Sequence, residues 1–289
     1  MPPIISSTII VLRENLQKIF DVFLLKRSGQ SIFMGNNFVY PGGVVDEHDS
    51  NSELIACCNK YAPKEELSPF MAAGIRELFE EGGILLAYDK KGHLLQIDNE
   101  KSQKKFGHYR TLLYEGKITL LDLLKQEKLS LAADRLCHYA HWITPIARPV
   151  RFDTHFFIAR CPDGQTASPD RLETSEGLWM TPYEALEENL KGSIMLSPPT
   201  LVTLEELSRF TTVNEVLAYA KDKDKSPVLP VLVPVPGQSF VVFPWDPDYE
   251  RFREGDIPHL IDHGRPSSLS DMTTRIVLKD GVNIPYCKR

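Results

Sequence analysis

The apolar positions of this chain change spacing several times, and each change predicts an element. Ser7 to Leu12 and Lys18 to Lys26 are dense in Ile, Val, Phe and Leu and are joined by the polar Arg13 to Gln17, which predicts two strands. Ser31 to Asn37 follows, and Phe38 to Gly43 runs into a Gly-Gly turn. Between Val44 and Leu67, polar segments flank the apolar patch Leu54-Ile55-Ala56-Cys57-Cys58, the pattern of a short helix between loops. Met71, Ala72, Ile75, Leu78 and Phe79 then recur at helical spacing as a buried stripe. Ser68-Pro69 offers that helix an N-cap and a first-turn proline, and Gly82-Gly83 offers it a stop.

Ile84 to Tyr88 predicts a strand and Asp89 to Gly92 a turn. Residues 99–136 predict two helices parted by Gly116-Lys117, with Tyr109, Leu112 and Leu113 in one apolar group and Leu120, Leu121, Leu123 and Leu124 in the other. Tyr139 to Ala147 and Thr154 to Arg160 read as strands. Helices follow from Tyr183 to Lys191, from Ser197 to Phe210 and from Thr212 to Lys221. Beyond the charged break Asp222 to Ser226, recurring prolines from Pro227 to Pro285 exclude long helices. Val228 to Val235, Ser239 to Phe243 and Arg275 to Leu278 predict short strands, in a segment that lies over the domain or reaches a partner subunit.

Composition narrows the class. A chain of 289 residues, 42% apolar and 25% charged, is an ordinary globular protein able to bury a sizeable core. Its net charge of −6 argues against a general nucleic-acid binder. The cysteines (Cys57, Cys58, Cys137, Cys161, Cys287) are odd in number, two are adjacent, and none shows metal-type Cys-x-x-Cys spacing. They predict free, reduced thiols and a cytoplasmic setting. The apolar N-terminal stretch is split by Ser6-Ser7-Thr8, so neither a signal sequence nor a membrane span is expected. The C-terminal Cys287-Lys288-Arg289 is not a peroxisomal Ser-Lys-Leu address.

The chemistry concentrates in Arg76 to Ile84. On a helix, Glu77, Glu80 and Glu81 stand at i, i+3 and i+4, on one face. Like charges so placed destabilise a bare helix by roughly 0.2–0.5 kcal/mol per pair. A divalent cation among them removes the repulsion, and hard cations such as Mg²⁺ take oxygen ligands. A solvated acidic face is the alternative. The same face continues onto Ala73 and Gly74, where the missing side chain leaves room for another backbone, a metal or a phosphate.

Arg76 to Ile84 resembles the second half of the Nudix hydrolase box, Arg-Glu-U-x-Glu-Glu-x-Gly-U with U bulky and aliphatic, at every position. Gly42-Gly43 resembles the start of its first half, Gly-x5-Glu. Two departures stand out. Asp49 occupies the place of Glu, and Arg76 comes about 19 residues later than position 57, where the family's spacing would put it. Phe23 to Gly43 resembles the signature of coenzyme A diphosphatases in this superfamily: Leu24, Arg27, Ser28, Pro41, Gly42 and Gly43 match, while Leu25, Ile32 and Asn36 depart. Trp142-x-Thr144-Pro145, Arg151-Phe152-Asp153-Thr154 and Phe156-Phe157 resemble the peroxisomal-type branch, which also interrupts its box.

The resemblance implies an α/β Nudix fold, an α/β/α sandwich around a mixed sheet. The expected divisions are a Nudix domain over 1–222, with a box insertion at 44–67 and a helical insertion at 99–136, and a Pro-rich extension over 223–289. It implies a hydrolase of a phosphoanhydride in a nucleoside diphosphate linked to another group. Glu77, Glu80 and Glu81 would hold Mg²⁺ or Mn²⁺ with a carbonyl from Gly42 or Gly43, and Arg76 would orient Glu80. The general base would be a box glutamate, or Glu173 or Glu176 on a later segment. Arg27, Gly42, Gly43, Arg148 and Arg151 are the expected substrate contacts, since guanidinium pairs bidentately with phosphate; for Arg148 and Arg151, a surface turn paired with Asp153 is the alternative.

CoA or an acyl-CoA is the expected substrate. ADP-ribose or a dinucleotide is the enzymatic alternative, and a Nudix-fold binding protein without turnover is the alternative of another class. The expected partner is a small nucleotide-derived molecule, with no nucleic acid, no membrane, and a homodimer left open. His48 among acids, and His259 with His263 near Asp262, have metal-like spacing but read more simply as surface residues.

Overall fold

The structure, a computed structural model, describes residues 2–28, 36–59, 65–170, 173–235, 238–257, 264–269, 271–279 and 282–288. Ile32, His259, Asp262 and His263 lie outside the described residues. In chain order the elements begin β1 (Ile4–Glu14), β2 (Phe20–Arg27), β3 (Asn37–Val39), β4 (Gly42–Val44), α1 (Ser52–Asn59), α2 (Ser68–Gly82), β5 (Ala87–Tyr88), α3 (Glu100–Tyr114), α4 (Leu120–Glu127) and β6 (Ser130–Leu131). They continue as β7 (Cys137–Ile143), β8 (Phe152–Arg160), β9 (Thr174–Met180), α5 (Pro182–Leu190), β10 (Met195–Leu196), α6 (Pro198–Leu207) and α7 (Val213–Asp222). The C-terminal part holds β11 (Val231–Val235), β12 (Gln238–Val242), α8 (Tyr249–Arg253), β13 (Arg265–Pro266), β14 (Arg275–Lys279) and β15 (Val282–Cys287).

The central sheet is mixed, and β1 is its hub. β8 runs parallel to β1 on one side; on the other, β1 pairs antiparallel with β4 at Ser6–Thr8 and with β2 at Leu12–Glu14. Successive strand residues point to opposite faces, so a strand buried on both faces reads as an unbroken apolar run. Ile9, Val11, Phe23, Leu25 and Phe157 meet Ile75, Leu78 and Phe79 of α2 on one face. Ile10, Leu12, Val22, Leu24 and Ile158 meet α5, α6 and α7 on the other, through Leu186, Leu204 and Val216. This is the expected α/β/α sandwich.

Several local expectations are corrected. Gly42-Gly43 is the strand β4, in register with Thr8 and Ser7, rather than a turn. Ser68 is the first residue of α2 and not its N-cap: a 3-10 turn, Glu65–Leu67, feeds straight into the helix, and Leu67 makes no side-chain cap. Gly83 does end it, in the left-handed region at φ 72°. The strand expected from Ile84 shrinks to β5. The stretch 99–136 is helical only in α3 and α4. Lys128, at φ 55°, stops α4, and β6 and a 3-10 turn at Ala133–Arg135 follow. Both helices pack into the core that holds α2, through Phe106, Tyr109, Leu113, Leu123 and Leu124.

The C-terminal strands form an antiparallel sheet ordered β11-β12-β14-β15-β13. Val241, Phe243 and Ile276 share the core of α5 to α7, so this segment lies over the domain. Its own centre holds a buried Arg275 that pairs with Asp246 and, at 3.0 Å, with Asp248. The five cysteines are free. Among the described residues, no helix is long and apolar enough to cross a membrane.

Candidate active site

Helix α2 is pressed against β1 where it has no side chain. A Cβ on Gly74 would fall 2.8 Å from Ser7 Oγ and 3.1 Å from Ile9 Cγ1. The room left by this glycine is therefore taken by the strand, not by a metal or a phosphate. One turn further, Glu77 and Glu81 face β4, and Glu80 stands beside them on the same helix face. The Gly42 N–H donates to Glu81 Oε2 at 2.9 Å. At Gly43 a Cβ would fall 2.3 Å from Glu77 Oε1, so only glycine lets the carboxylate approach this backbone. The inserted segment does not separate the two: α1 packs beside α2 through Leu54 and Cys58.

Arg76 joins the acids. Its Nε and Nη2 donate to Asp49 Oδ1 and Oδ2 at 3.0 and 2.9 Å, and Nη2 also donates to the Val44 carbonyl at 2.9 Å. Nη1 donates to Glu77 Oε1 at 2.9 Å and to Glu80 Oε2 at 3.3 Å. The expected contact with Glu80 is present and is the longest of the five. Asp49, which departs from the family's Glu, accepts the bidentate pair. Burial works against the guanidinium charge, but the hydrogen bonds to Asp49 and the charge of Glu77 outweigh it and keep Arg76 protonated.

The glutamates are short of positive charge. Burial pushes Glu77 up to about 7, with Arg76 opposing and Glu80 adding to the rise. Burial and then the charge of Glu77 push Glu81 well above the usual carboxylate range, against the Gly42 N–H and Arg27. Glu80 is raised chiefly by burial as well. Three carboxylates crowded on one face, beside a glycine that a Cβ would block, fit a hard divalent cation.

A residue that sequence reasoning missed secures the end of α2. Arg110 on α3 donates to the carbonyls of Glu80 (2.6 Å) and Glu81 (2.7 Å) and to that of Ser168 (2.9 Å). The last carbonyls of a helix lack intrahelical partners and carry partial negative charge, so a guanidinium satisfies both needs. An arginine on an amphipathic helix gives no sequence signal for this.

The carboxylates open onto a cavity of about 500 Å³. Arg27, Arg148 and Glu173 stand on its lining beside Gly42 and Gly43. Trp142, Phe152 and Phe156 supply an apolar wall, completed by Val241 and Leu278 from the C-terminal sheet. Two expected residues are elsewhere. Arg151 is not on the lining; its Nε donates to the Thr144 carbonyl at 3.0 Å. Glu176 is exposed on β9, with Oε2 3.9 Å from Lys26 Nζ across the β2–β9 pair. Asp153, the alternative partner for Arg148 and Arg151, pairs with His141 instead.

This fold and this acidic helix define the Nudix hydrolase class. Among solved structures, a Nudix hydrolase from Alicyclobacillus acidocaldarius superposes with a TM-score of 0.64 at 21% identity, over 75% of this chain and 96% of that one. The chain belongs to the family described as the NUDT19 Nudix domain, which matches residues 63–209, about half of its length. It is 28% identical over 243 residues to "Acyl-coenzyme A diphosphatase NUDT19" of Xenopus laevis, across 71% of this chain and 64% of that protein. It is 29% identical over 238 residues to "Putative nudix hydrolase 7" of Caenorhabditis elegans, across 82% of this chain and 71% of that protein. The chain thus spans less than two thirds of the Xenopus relative.

Proposed function

We propose that this chain hydrolyses the diphosphate of CoA or an acyl-CoA, releasing 3′,5′-ADP and a phosphopantetheine or acyl-phosphopantetheine. The observation that carries this reading is one cavity joining the carboxylate face of α2 with its Arg76, two further arginines, Arg27 and Arg148, and an apolar wall. A diphosphate needs the first two, and a pantetheine arm with an acyl chain needs the third. The acyl-coenzyme A diphosphatase name of the Xenopus relative supports the same substrate.

Glu77, Glu80 and Glu81, with the Gly43 carbonyl, would hold Mg²⁺ or Mn²⁺, and such an ion would supply charge neutralisation and a more acidic water. The chain's own residues do the rest. Asp49 fixes the Arg76 guanidinium, which orients Glu77 and Glu80. The Gly42 N–H holds Glu81. Glu173 is the general base: it stands on the cavity lining and its charge reaches Glu81, whereas Glu176 is engaged with Lys26. Arg27 and Arg148 bind phosphate groups, the 3′-phosphate among them. The extension over 223–289 serves as the outer wall, through Val241 and Leu278. Five free cysteines fit a reducing, cytoplasm-like compartment.

A substrate panel of CoA, acyl-CoA, dephospho-CoA, ADP-ribose and NADH, with Mg²⁺ and with chelator, tests the reading. Acyl-CoA should be cleaved only with the metal. Dephospho-CoA should be at least about tenfold less efficient, which corresponds to about 1.4 kcal/mol of transition-state stabilisation. Faster turnover of ADP-ribose than of either CoA species overturns the substrate, and no turnover of any compound overturns the enzyme.

A further inference from the structure

The β7–β8 pair carries a second group of ligand-type side chains that the hydrolytic site does not use. His141 on β7 stands directly opposite His155 on β8, and Asp153 is two residues before His155, so all three share one face of the pair. A register shift between His138 and Ala140 brings His138 to the same face, opposite Phe157. His141 Nε2 touches Asp153 Oδ1. The ligating atoms of His141, Asp153 and His155 all lie within 4.8 Å of one another. The alternate positions Trp142, Phe152, Thr154 and Phe156 line the hydrolytic cavity, and Ile143, opposite Asp153, reaches its edge; His141, Asp153 and His155 do not line it, and His155 packs instead on Phe70 of α2. The cluster is therefore on the other face of the sheet.

We propose that His141, Asp153 and His155 form a second cation site, for a single divalent transition ion such as Zn²⁺. Two imidazoles and one carboxylate suit Zn²⁺ and its neighbours, whereas Mg²⁺ prefers oxygen alone. Three protein ligands leave a fourth position for water. His138 Nε2 lies 3.0 Å from Nδ1 of His155, close enough to fix that ring by a hydrogen bond, as the outer partners of ligating histidines do. On the other side the Phe70 ring, from the first turn of α2, lies 4.2 Å from the His155 ring. The site is half-buried, with the side chains of His141 16% and Asp153 30% exposed, so an ion can enter from solvent. A bound ion would clamp β7 to β8 beneath the start of the catalytic helix. The competing account is a hydrogen-bonded staple with no affinity for metal.

Calorimetric titration of the purified chain with Zn²⁺, in excess Mg²⁺ to occupy the glutamates of α2, separates the two. Wild type should bind one Zn²⁺ with a rise in Tm. Asp153→Asn, which removes a ligand, should bind it more than about tenfold more weakly, since the loss of even an outer partner costs about 10–100-fold. The double variant His141→Ala/His155→Ala should lose it, and Glu80→Gln should keep it. No Zn²⁺ uptake by wild type, or uptake lost in Glu80→Gln and kept in the histidine variant, overturns the proposal. Co²⁺ added to wild type gives a readout that needs no variant: histidine ring protons should appear at paramagnetically shifted NMR positions, and their absence at saturating Co²⁺ also overturns it.

Discussion

Asp49 and Arg76 meet in two near-equal hydrogen bonds, 3.0 Å at Nε and 2.9 Å at Nη2, with the Asp49 side chain 1% exposed. The pair ties the inserted segment, which holds Asp49, to α2 and fixes which way the guanidinium points. That leaves Nη1 aimed at Glu77 and Glu80. Removing one partner of a buried pair costs about 3–5 kcal/mol, because the other charge stays buried without compensation. Arg76 keeps two other acids, so Asp49→Ala should fall near the lower figure, about 3 kcal/mol in denaturant unfolding, with reduced kcat. A loss under about 0.5 kcal/mol, the usual scale of surface substitutions, would show that the pair is not structural.

The two glycines of β4 should respond differently to alanine. At Gly42 the new Cβ meets strand backbone, 2.4 Å from the Ser7 carbonyl oxygen and 2.7 Å from Thr8 Cα. At Gly43 every close atom belongs to the carboxylate of Glu77, the far end of a flexible side chain. Gly42→Ala should therefore cost about 1–3 kcal/mol of stability, the range for overpacking. Gly43→Ala should leave Tm within a few degrees and cut kcat, because Glu77 is displaced. Equal Tm losses in the two variants would contradict this.

Glu173 and Glu176 separate by place. A general base contributes about 10²–10⁴-fold. Glu173→Gln should lower kcat within that range, while Glu176→Gln, which breaks only a 3.9 Å surface contact with Lys26, should stay within about twofold. Steady-state rates of the two variants on acyl-CoA decide it, and the reverse order would move the base to Glu176.

Glu205 on α6 ties the domain to the C-terminal sheet by accepting from the Thr273 N–H at 3.0 Å. Burial pushes its pKa from 4.5 up to about 7, against the Thr273 hydrogen bonds. The folded protein then holds a proton that the unfolded chain releases across this window. Its contribution is full below pH 4.5 and is lost as pH rises to about 7. Unfolding free energies of wild type and Glu205→Gln, compared at steps across that window, should show a steeper fall with rising pH for wild type. Parallel profiles would contradict the buried acid.

Much of the architecture was legible because it is local. The paired apolar runs of β1 and β2 and the stripe from Met71 to Phe79 each state their burial within a few residues. The glutamate face of α2 was legible for the same reason. What stayed hidden depends on contacts between distant segments. Asp49 looked like a departure from a pattern until the fold set it against Arg76, and Arg110 drew no notice because only the fold brings it to the end of α2. Gly42-Gly43 read as a turn because two glycines permit one, yet the ladder with Ser7 and Thr8 holds them extended. Glu173 and Glu176 were not separated by sequence, since pairing with β2 sets Glu176 beside Lys26 while Glu173, just before β9, reaches the cavity lining.

The central claim is that the α2 carboxylates carry hydrolysis of an acyl-CoA diphosphate, and Glu80 is its most direct test. Release of 3′,5′-ADP from an acyl-CoA in the presence of Mg²⁺ should fall by at least about 10³-fold in Glu80→Gln, on the scale of losing a main electrostatic stabiliser. The variant's unfolding midpoint should stay at or above that of wild type, because a half-buried carboxylate with a raised pKa is replaced by a neutral isostere. Turnover near the wild-type rate in a folded Glu80→Gln protein would contradict the account.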